Sequence, residues 1–237
     1  MSRSTALDVE GVVFDLDATL VNLGGFVDWR KAHSRVVDAY LDCGCSEVTV
    51  ERCSRKGLFN MLNSMWDEIC TTHPRGEAER IQERAYSVLS AFEAQGIHNC
   101  HLISGAIEAL VWLDENGIPM GVATSNSGEV AEMILEMKGL RGYFAAVVGR
   151  TPKLRMKPHP DQLLACFEIL GVDPRRGVVV GDSVRDVEAA KAAGAYAVAI
   201  PAYFTEPEIL ERAGADFILD GLEELPVVLS SLQLASR

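Results

Sequence analysis

From residue 101 onward, short apolar runs alternate with stretches whose apolar positions recur every three or four residues. Residues 105–116 set Ile107, Leu110, Val111 and Leu113 along one side, which predicts a helix. The run 119–123 predicts a strand, and 129–138 a helix with Asn126 and Glu129 spaced like a capping box. Residues 143–148 predict a strand, and 161–170 a helix stopped by Gly171. Gly-Val-Val-Val at 177–180 reads as a buried strand leading into Gly181-Asp182. A helix over 183–193 ends at Gly194, a strand follows at 196–200, and segments 206–213, 216–219 and 222–232 complete the alternation. Strands this apolar, separated by helices, imply an α/β fold: a parallel sheet with helices on both faces. Such sheets bind ligands at the carboxyl ends of their strands. Asp15 and Asp17, Thr124 and Asp182 all fall at or just beyond a predicted strand end.

Residues 21–100 break this rhythm. They carry helical stripes: Phe26-Trp29-His33-Val36-Val37-Tyr40, then Leu58-Leu62-Met65-Trp66-Ile69, then Ile81-Ala85-Val88-Leu89-Phe92. A crossover between parallel strands needs only about a dozen residues. The segment is therefore an inserted α-helical cap domain, and the sheet core comprises residues 1–20 and 101–237. Because the insertion begins directly after the motif around Asp15, it is expected to hang over the site. Its aromatic stripes read chiefly as the cap's own core.

Composition narrows the partners. The 237 residues carry a formal charge of −12, which argues against a broad surface for nucleic acid or an anionic membrane. A small site can still be locally positive, and residues 149–160 hold four cations and no acid. The first ten residues lack the apolar core of a signal peptide, and no apolar run approaches the ~20 residues of a membrane span. Six cysteines without framework spacing point to a reduced, cytoplasmic setting. Cys43, Cys45 and Cys53 lack a fourth ligand at zinc-site spacing and read as ordinary thiols.

The chemistry concentrates in four segments. Residues i and i+2 of a strand point the same way, so Asp15 and Asp17 converge if the strand persists. Taken alone, the pair is equally a solvated loop end. Gly181-Asp182-Ser183-Val184-Arg185-Asp186 follows a second buried strand and opens a helix, with Asp186 one turn beyond Asp182. Several carboxylates at adjacent strand ends call for a cation, and an oxygen-only donor set favours Mg2+. Thr124-Ser125-Asn126 offers hydroxyls and backbone N–H groups at a helix start, an anion site or an ordinary cap. Lys157 precedes Pro158-His159-Pro160 and, beside carboxylates and a phosphate, becomes an organiser of charge.

In order and spacing these segments resemble the haloacid dehalogenase superfamily of phosphatases, in the branch of phosphoglycolate phosphatase and β-phosphoglucomutase. Asp15-x-Asp17-x-Thr19 is similar to the first motif, Thr124 to the second, Lys157 to the third and Gly181-Asp182-x-x-x-Asp186 to the fourth. The resemblance implies a Rossmann-like core and a Mg2+-dependent hydrolase of small phosphate monoesters, with phosphomutase as the alternative. It implies that Asp15 attacks phosphorus to form an aspartyl-phosphate, while Asp17 protonates the leaving oxygen and then activates water. Mg2+ would be held by Asp15, the backbone carbonyl of Asp17, Asp182 and, through water, Asp186. Thr124, Ser125 and Lys157 would hold the phosphoryl oxygens. One departure is Ala18, where the family usually has Gly; a positive φ there would cost on the order of 1 kcal/mol.

Two other readings lose ground on the residues themselves. Dehalogenases lack the second acid, and a non-catalytic relative would have lost a reacting group; here Asp15, Asp17, Lys157, Asp182 and Asp186 are all present. The partner expected is a small phosphorylated metabolite. Phe26, Trp29, Arg30 and Lys31 follow the first motif closely enough to enter the site, and Arg52, Arg55 and Lys56 form a second basic cluster. The clusters read first as solvated helix faces; an inward Arg30 or Arg55 would favour a phosphorylated carboxylic acid.

Overall fold

The computed structural model describes residues 9–202 and 205–232. The first eight residues, on which the signal-peptide reading mostly rests, lie outside that range. Six strands form one parallel sheet in the order β3-β2-β1-β4-β5-β6. They are β1 (Gly11–Phe14), β2 (Met120–Ser127), β3 (Phe144–Arg150), β4 (Gly177–Gly181), β5 (Tyr196–Ala199) and β6 (Phe217–Ile218). Helices α5 (Ala106–Glu115), α6 (Gly128–Met137), α7 (Asp161–Leu170), α8 (Val184–Ala193), α9 (Pro207–Ala213) and α10 (Leu225–Ser231) alternate with the strands.

Strand periodicity divides the sheet's packing between two cores. Val12, Phe14, Val178 and Val180 join Leu110, Ile134 and Leu225 on one face. Val13 and Val179 join Leu163, Phe167 and Val187 on the other. Burial on both faces explains why these strands read as continuous apolar runs.

The chain runs outward from β1 through β2 to β3, then returns to the other side of β1 for β4, β5 and β6. The crevice beyond β1 and β4 is thus the switch point, where such sheets bind ligands. Phe14 is paired with both Val122 and Val180, so Asp15 emerges at the height of Ala123 and Gly181.

Between β1 and β2 lie α1 (Trp29–Asp42), α2 (Glu47–Ser54), α3 (Leu58–Thr72) and α4 (Arg75–Gly96). Val36, Tyr40, Met61, Leu62, Met65, Ile81 and Leu89 form a third core among them, which Met156 joins. Tyr40 donates to Gln82 at 2.8 Å and Gln82 donates to the Leu62 carbonyl at 3.1 Å, so this core is cross-tied by satisfied polar groups. The chain leaves and re-enters the sheet layer side by side: Val21 bridges Leu102, and Asn22 N–H donates to the His101 carbonyl at 3.0 Å.

Three expectations need correction. The α2 helix is absent from the stripe reading because Glu47–Ser54 is short and buries only Val50 and Cys53, leaving Val48 exposed. Strand β2 continues to Ser127, so Thr124-Ser125-Asn126 belongs to the strand end rather than to a helix start. The α6 N-cap is Ser127 without a side-chain cap bond, and Asn126 turns instead to Thr124 and Glu93.

Candidate active site

Backbone geometry brings the acids together. Asp15 N–H donates to the Val180 carbonyl at 2.8 Å, continuing the β1–β4 pairing one residue past the strand. Beyond β4, Ser183 and Asp186 form a capping box on α8, which fixes Asp186. A Cβ on Gly181 would lie 2.4 Å from the Asp186 Cβ, so only glycine allows this turn to close. One oxygen from each of Asp15, Asp182 and Asp186 lies within 4.8 Å of the others.

Lys157 sits among them, 3% exposed. Its Nζ donates to Asp15 Oδ1 at 2.5 Å, to Asp186 Oδ1 at 2.5 Å and to the Ala123 carbonyl at 3.0 Å. Burial alone would lower its pKa, but the two carboxylates hold it above the ordinary lysine value. Burial raises Asp15 above the usual carboxylate range, with Lys157 opposing and Asp186 adding to the rise. In Asp186 burial is outweighed by Lys157 and the Ser183 hydroxyl, and its pKa falls. Asp182, half-buried and facing Asp186 and Asp15, is pushed up to about 8, chiefly by desolvation. One ammonium does not neutralise three acids. An oxygen from each of Asp15, Asp182 and Asp186 could together hold a metal ion, and an all-oxygen donor set suits a hard divalent cation. Both oxygens of Asp186 are already engaged, by Lys157 and Ser183.

Asp17 stands apart from the three. Its Oδ1 accepts from Gly24 N–H at 2.7 Å, and the Gly24 carbonyl accepts from Trp29 Nε1 at 2.9 Å. The insertion thus holds the second acid of the motif. Burial raises Asp17 to about 7, against the opposing Gly24 hydrogen bond. Ala18 next to it has φ +67°, the left-handed conformation that glycine favours.

The hydroxyls at the β2 end differ. Thr124 Oγ1 donates to Asn126 Oδ1 at 3.0 Å and accepts from Asn126 N–H at 3.2 Å. Ser125 Oγ is buried with no partner. Ser125 thus lines the cleft with its hydroxyl unpaired.

Supporting residues absent from the sequence reading surround this loop. Glu93 of α4 accepts from Asn126 Nδ2 and from Ser127 N–H, each at 3.1 Å. It also pairs with Arg150 at the end of β3, both side chains fully buried. Arg150 donates as well to the Ser125 carbonyl at 2.6 Å, and Gln162 donates to the Thr124 carbonyl at 2.7 Å. Of the four cations in 149–160, Lys157 alone lines the cleft; Arg155 pairs with Asp67 and Lys153 is exposed. Above the acids lies a cleft of about 580 Å3, to which the insertion contributes Gly24, Gly25, Trp29, Leu58 and Phe59. Phe26 packs against His101 instead. Arg30 and Lys31 are exposed, while Arg52 pairs with Glu68, Arg55 with Glu51, and Lys56 reaches Ser64. Neither basic cluster lines the cleft.

The family of haloacid dehalogenase-like hydrolases matches residues 12–200, a span from β1 to just past β5. The chain belongs to this family. Phosphoglycolate phosphatase of Shigella boydii is 28% identical, over 92% of this chain and 91% of that one. The phosphoglycolate phosphatase of Escherichia coli K12 is 27% identical with the same coverage. A putative phosphoglycolate phosphatase from Lactobacillus delbrueckii superposes with a TM-score of 0.66 at 20% identity, covering 94% of this chain and 99% of that one. CbbY from Rhodobacter sphaeroides, solved in complex with phosphate, gives 0.60 at 23% identity over 92% of this chain and 96% of that one. This haloacid dehalogenase-like hydrolase is a phosphatase. No helix among its described residues is long and apolar enough to cross a membrane.

Proposed function

We propose that this hydrolase cleaves small phosphate monoesters of phosphoglycolate size, using Mg2+ and an aspartyl-phosphate on Asp15. The observation that carries the reading is Lys157 seated between Asp15 and Asp186, with Asp182 beside them and the free Ser125 hydroxyl in the same cleft. Asp15 is the nucleophile: its carboxylate stands at the switch point and opens directly into the cleft. Asp17, with its pKa near 7, can give a proton to the leaving oxygen and take one from the attacking water. Ser125, Lys157 and Thr124 hold the phosphoryl oxygens; Thr124 does so once its hydroxyl turns from Asn126. Asp15, Asp182, the Asp17 carbonyl and Asp186 would hold Mg2+, which would supply neutralisation of phosphoryl charge.

Residues 21–100 act as the cap, whose Trp29, Leu58 and Phe59 bound the space left for the leaving group. The unpaired state of all six cysteines suits a cytoplasmic setting. Relatives named as phosphoglycolate phosphatases support a phosphorylated metabolite as the substrate. Acid-quench trapping tests the chemistry. With 32P-labelled substrate and Mg2+, the wild type retains protein-bound label and Asp15→Asn retains none, with turnover abolished. An active Asp15→Asn variant sinks the proposal.

A further inference from the structure

Arg185 opens the second position of α8, between Asp182 and Asp186, yet its side chain leaves the acids. Its guanidinium lies over the Phe59 ring, 4.6 Å from the centroid, and Phe59 in turn leans on Trp29 with centroids 5.7 Å apart. This stack joins the sheet core to the insertion and forms one wall of the cleft. Arg185 Nη1 is buried there without a hydrogen-bond partner. A buried N–H group left so is unfavourable unless a ligand supplies the acceptor. Among the described residues lining the cleft, Lys157 is the other cation, and it is committed to Asp15 and Asp186.

We infer that Arg185 reads a carboxylate on the leaving group of the substrate, a specificity-determining role that rests on the phosphatase reading above. Phe59 covers one face of the guanidinium, so what remains for hydrogen bonding is its in-plane edge. A planar, acceptor-only carboxylate matches that edge. One guanidinium balances one monoanion, whereas a second phosphate would bring up to two charges to a wall otherwise made of Trp29, Leu58 and Phe59. The apolar wall favours a short carbon linker between ester oxygen and carboxylate.

The test compares 2-phosphoglycolate with its neutral counterpart 2-hydroxyethyl phosphate and with ethylene glycol bisphosphate, in Mg2+. The wild type prefers 2-phosphoglycolate to both by kcat/KM. Arg185→Gln cuts the preference over the neutral ester roughly tenfold or more, through KM. Where the wild type turns the esters over, a preference that is absent, that survives Arg185→Gln, or that goes to the bisphosphate overturns the inference. Calorimetric titration of Asp15→Asn and Asp15→Asn/Arg185→Gln with the same compounds separates the two readings, because binding is read without turnover. Arg185-dependent binding of 2-phosphoglycolate, together with a wild type that hydrolyses none of the esters, upholds the carboxylate subsite and removes the phosphatase chemistry. Hydrolysis with binding indifferent to Arg185 does the reverse.

Discussion

Replacing Arg150 with Met tests how the insertion and the sheet core are tied together. The Arg150 guanidinium donates to Glu93 Oε1 at 2.8 Å and Oε2 at 3.0 Å, to the Ser125 carbonyl at 2.6 Å and to Ser90 Oγ at 3.0 Å. Neither charged side chain is exposed at all. Methionine fills much of the volume but leaves the Glu93 carboxylate with only Asn126 Nδ2 and Ser127 N–H as donors. Stranding one member of a buried pair costs about 3–5 kcal/mol, against a total stability of roughly 5–15 kcal/mol. At about 2–4 °C per kcal/mol for a chain of this size, Tm should fall by roughly 6–20 °C. Glu93→Gln/Arg150→Met removes the stranded charge while keeping an acceptor for Asn126, and should recover about half the loss or more. Thermal and urea unfolding of both variants gives the comparison. A loss below about 1 kcal/mol in Arg150→Met, or a double variant no more stable than the single one, refutes the reasoning.

Three further outcomes follow from the same geometry. Asp182 is raised from 3.8 to about 8, so its contribution to metal-free stability is complete below 3.8 and gone once the pH has risen through about 8. Mg2+ must displace that proton, so the rise in Tm on adding Mg2+ should grow from pH 6 to pH 9, and EDTA should reverse it; a pH-independent rise contradicts the metal assignment. Ala18→Gly relieves a φ of +67° and should stabilise the protein by about 0.5–1 kcal/mol in urea unfolding; a destabilised variant would show that the turn is not strained. Asp17→Asn should slow both leaving-group departure and dephosphorylation in rapid-quench kinetics; unchanged rates with poor leaving groups would remove its acid–base role.

The sheet was legible because its signals are local. Val12-Val13-Phe14 and Val178-Val179-Val180 are buried on both faces and read as apolar runs, and Gly171 and Gly194 stop helices through their own positive φ. Asp15 and Asp182 were legible for the same reason, since each follows its strand directly. What sequence spacing could not carry was pairing across distance. Asn126 lies three residues before Glu129, yet its side chain is taken by Glu93, 33 residues earlier in the chain. Arg150 belongs to a cationic stretch in the sequence, and its partner Glu93 lies 57 residues away. The basic clusters at Arg30 and Arg55, whose first reading is a solvated helix face, do lie in solvent. Arg185, inside a motif already read for its aspartates, was passed over; the signal was a cation among acids with no acid of its own to neutralise.

The same contacts bear on whether the proposed aspartyl-phosphate would meet water or a returning leaving group. A mutase must retain a leaving group that carries a second phosphate, and turn it about within a closed cap. Here the insertion offers the cleft three bulky side chains, Trp29, Leu58 and Phe59, and two glycines, none with a formal charge. Among the described residues lining the cleft, the one cation free to hold a leaving group, Arg185, comes from the sheet core and lies against Phe59. Glu93 and Arg150 further bind α4 to the segment that carries Ser125, so the insertion is fastened where reorientation would require it to yield. A wall with one fixed cation can orient a small monoanionic leaving group once and then lose it. That favours hydrolysis, and it makes the bisphosphate arm of the substrate comparison the sharpest discriminator: efficient turnover of a bisphosphate would require a second cation that the described cleft does not present.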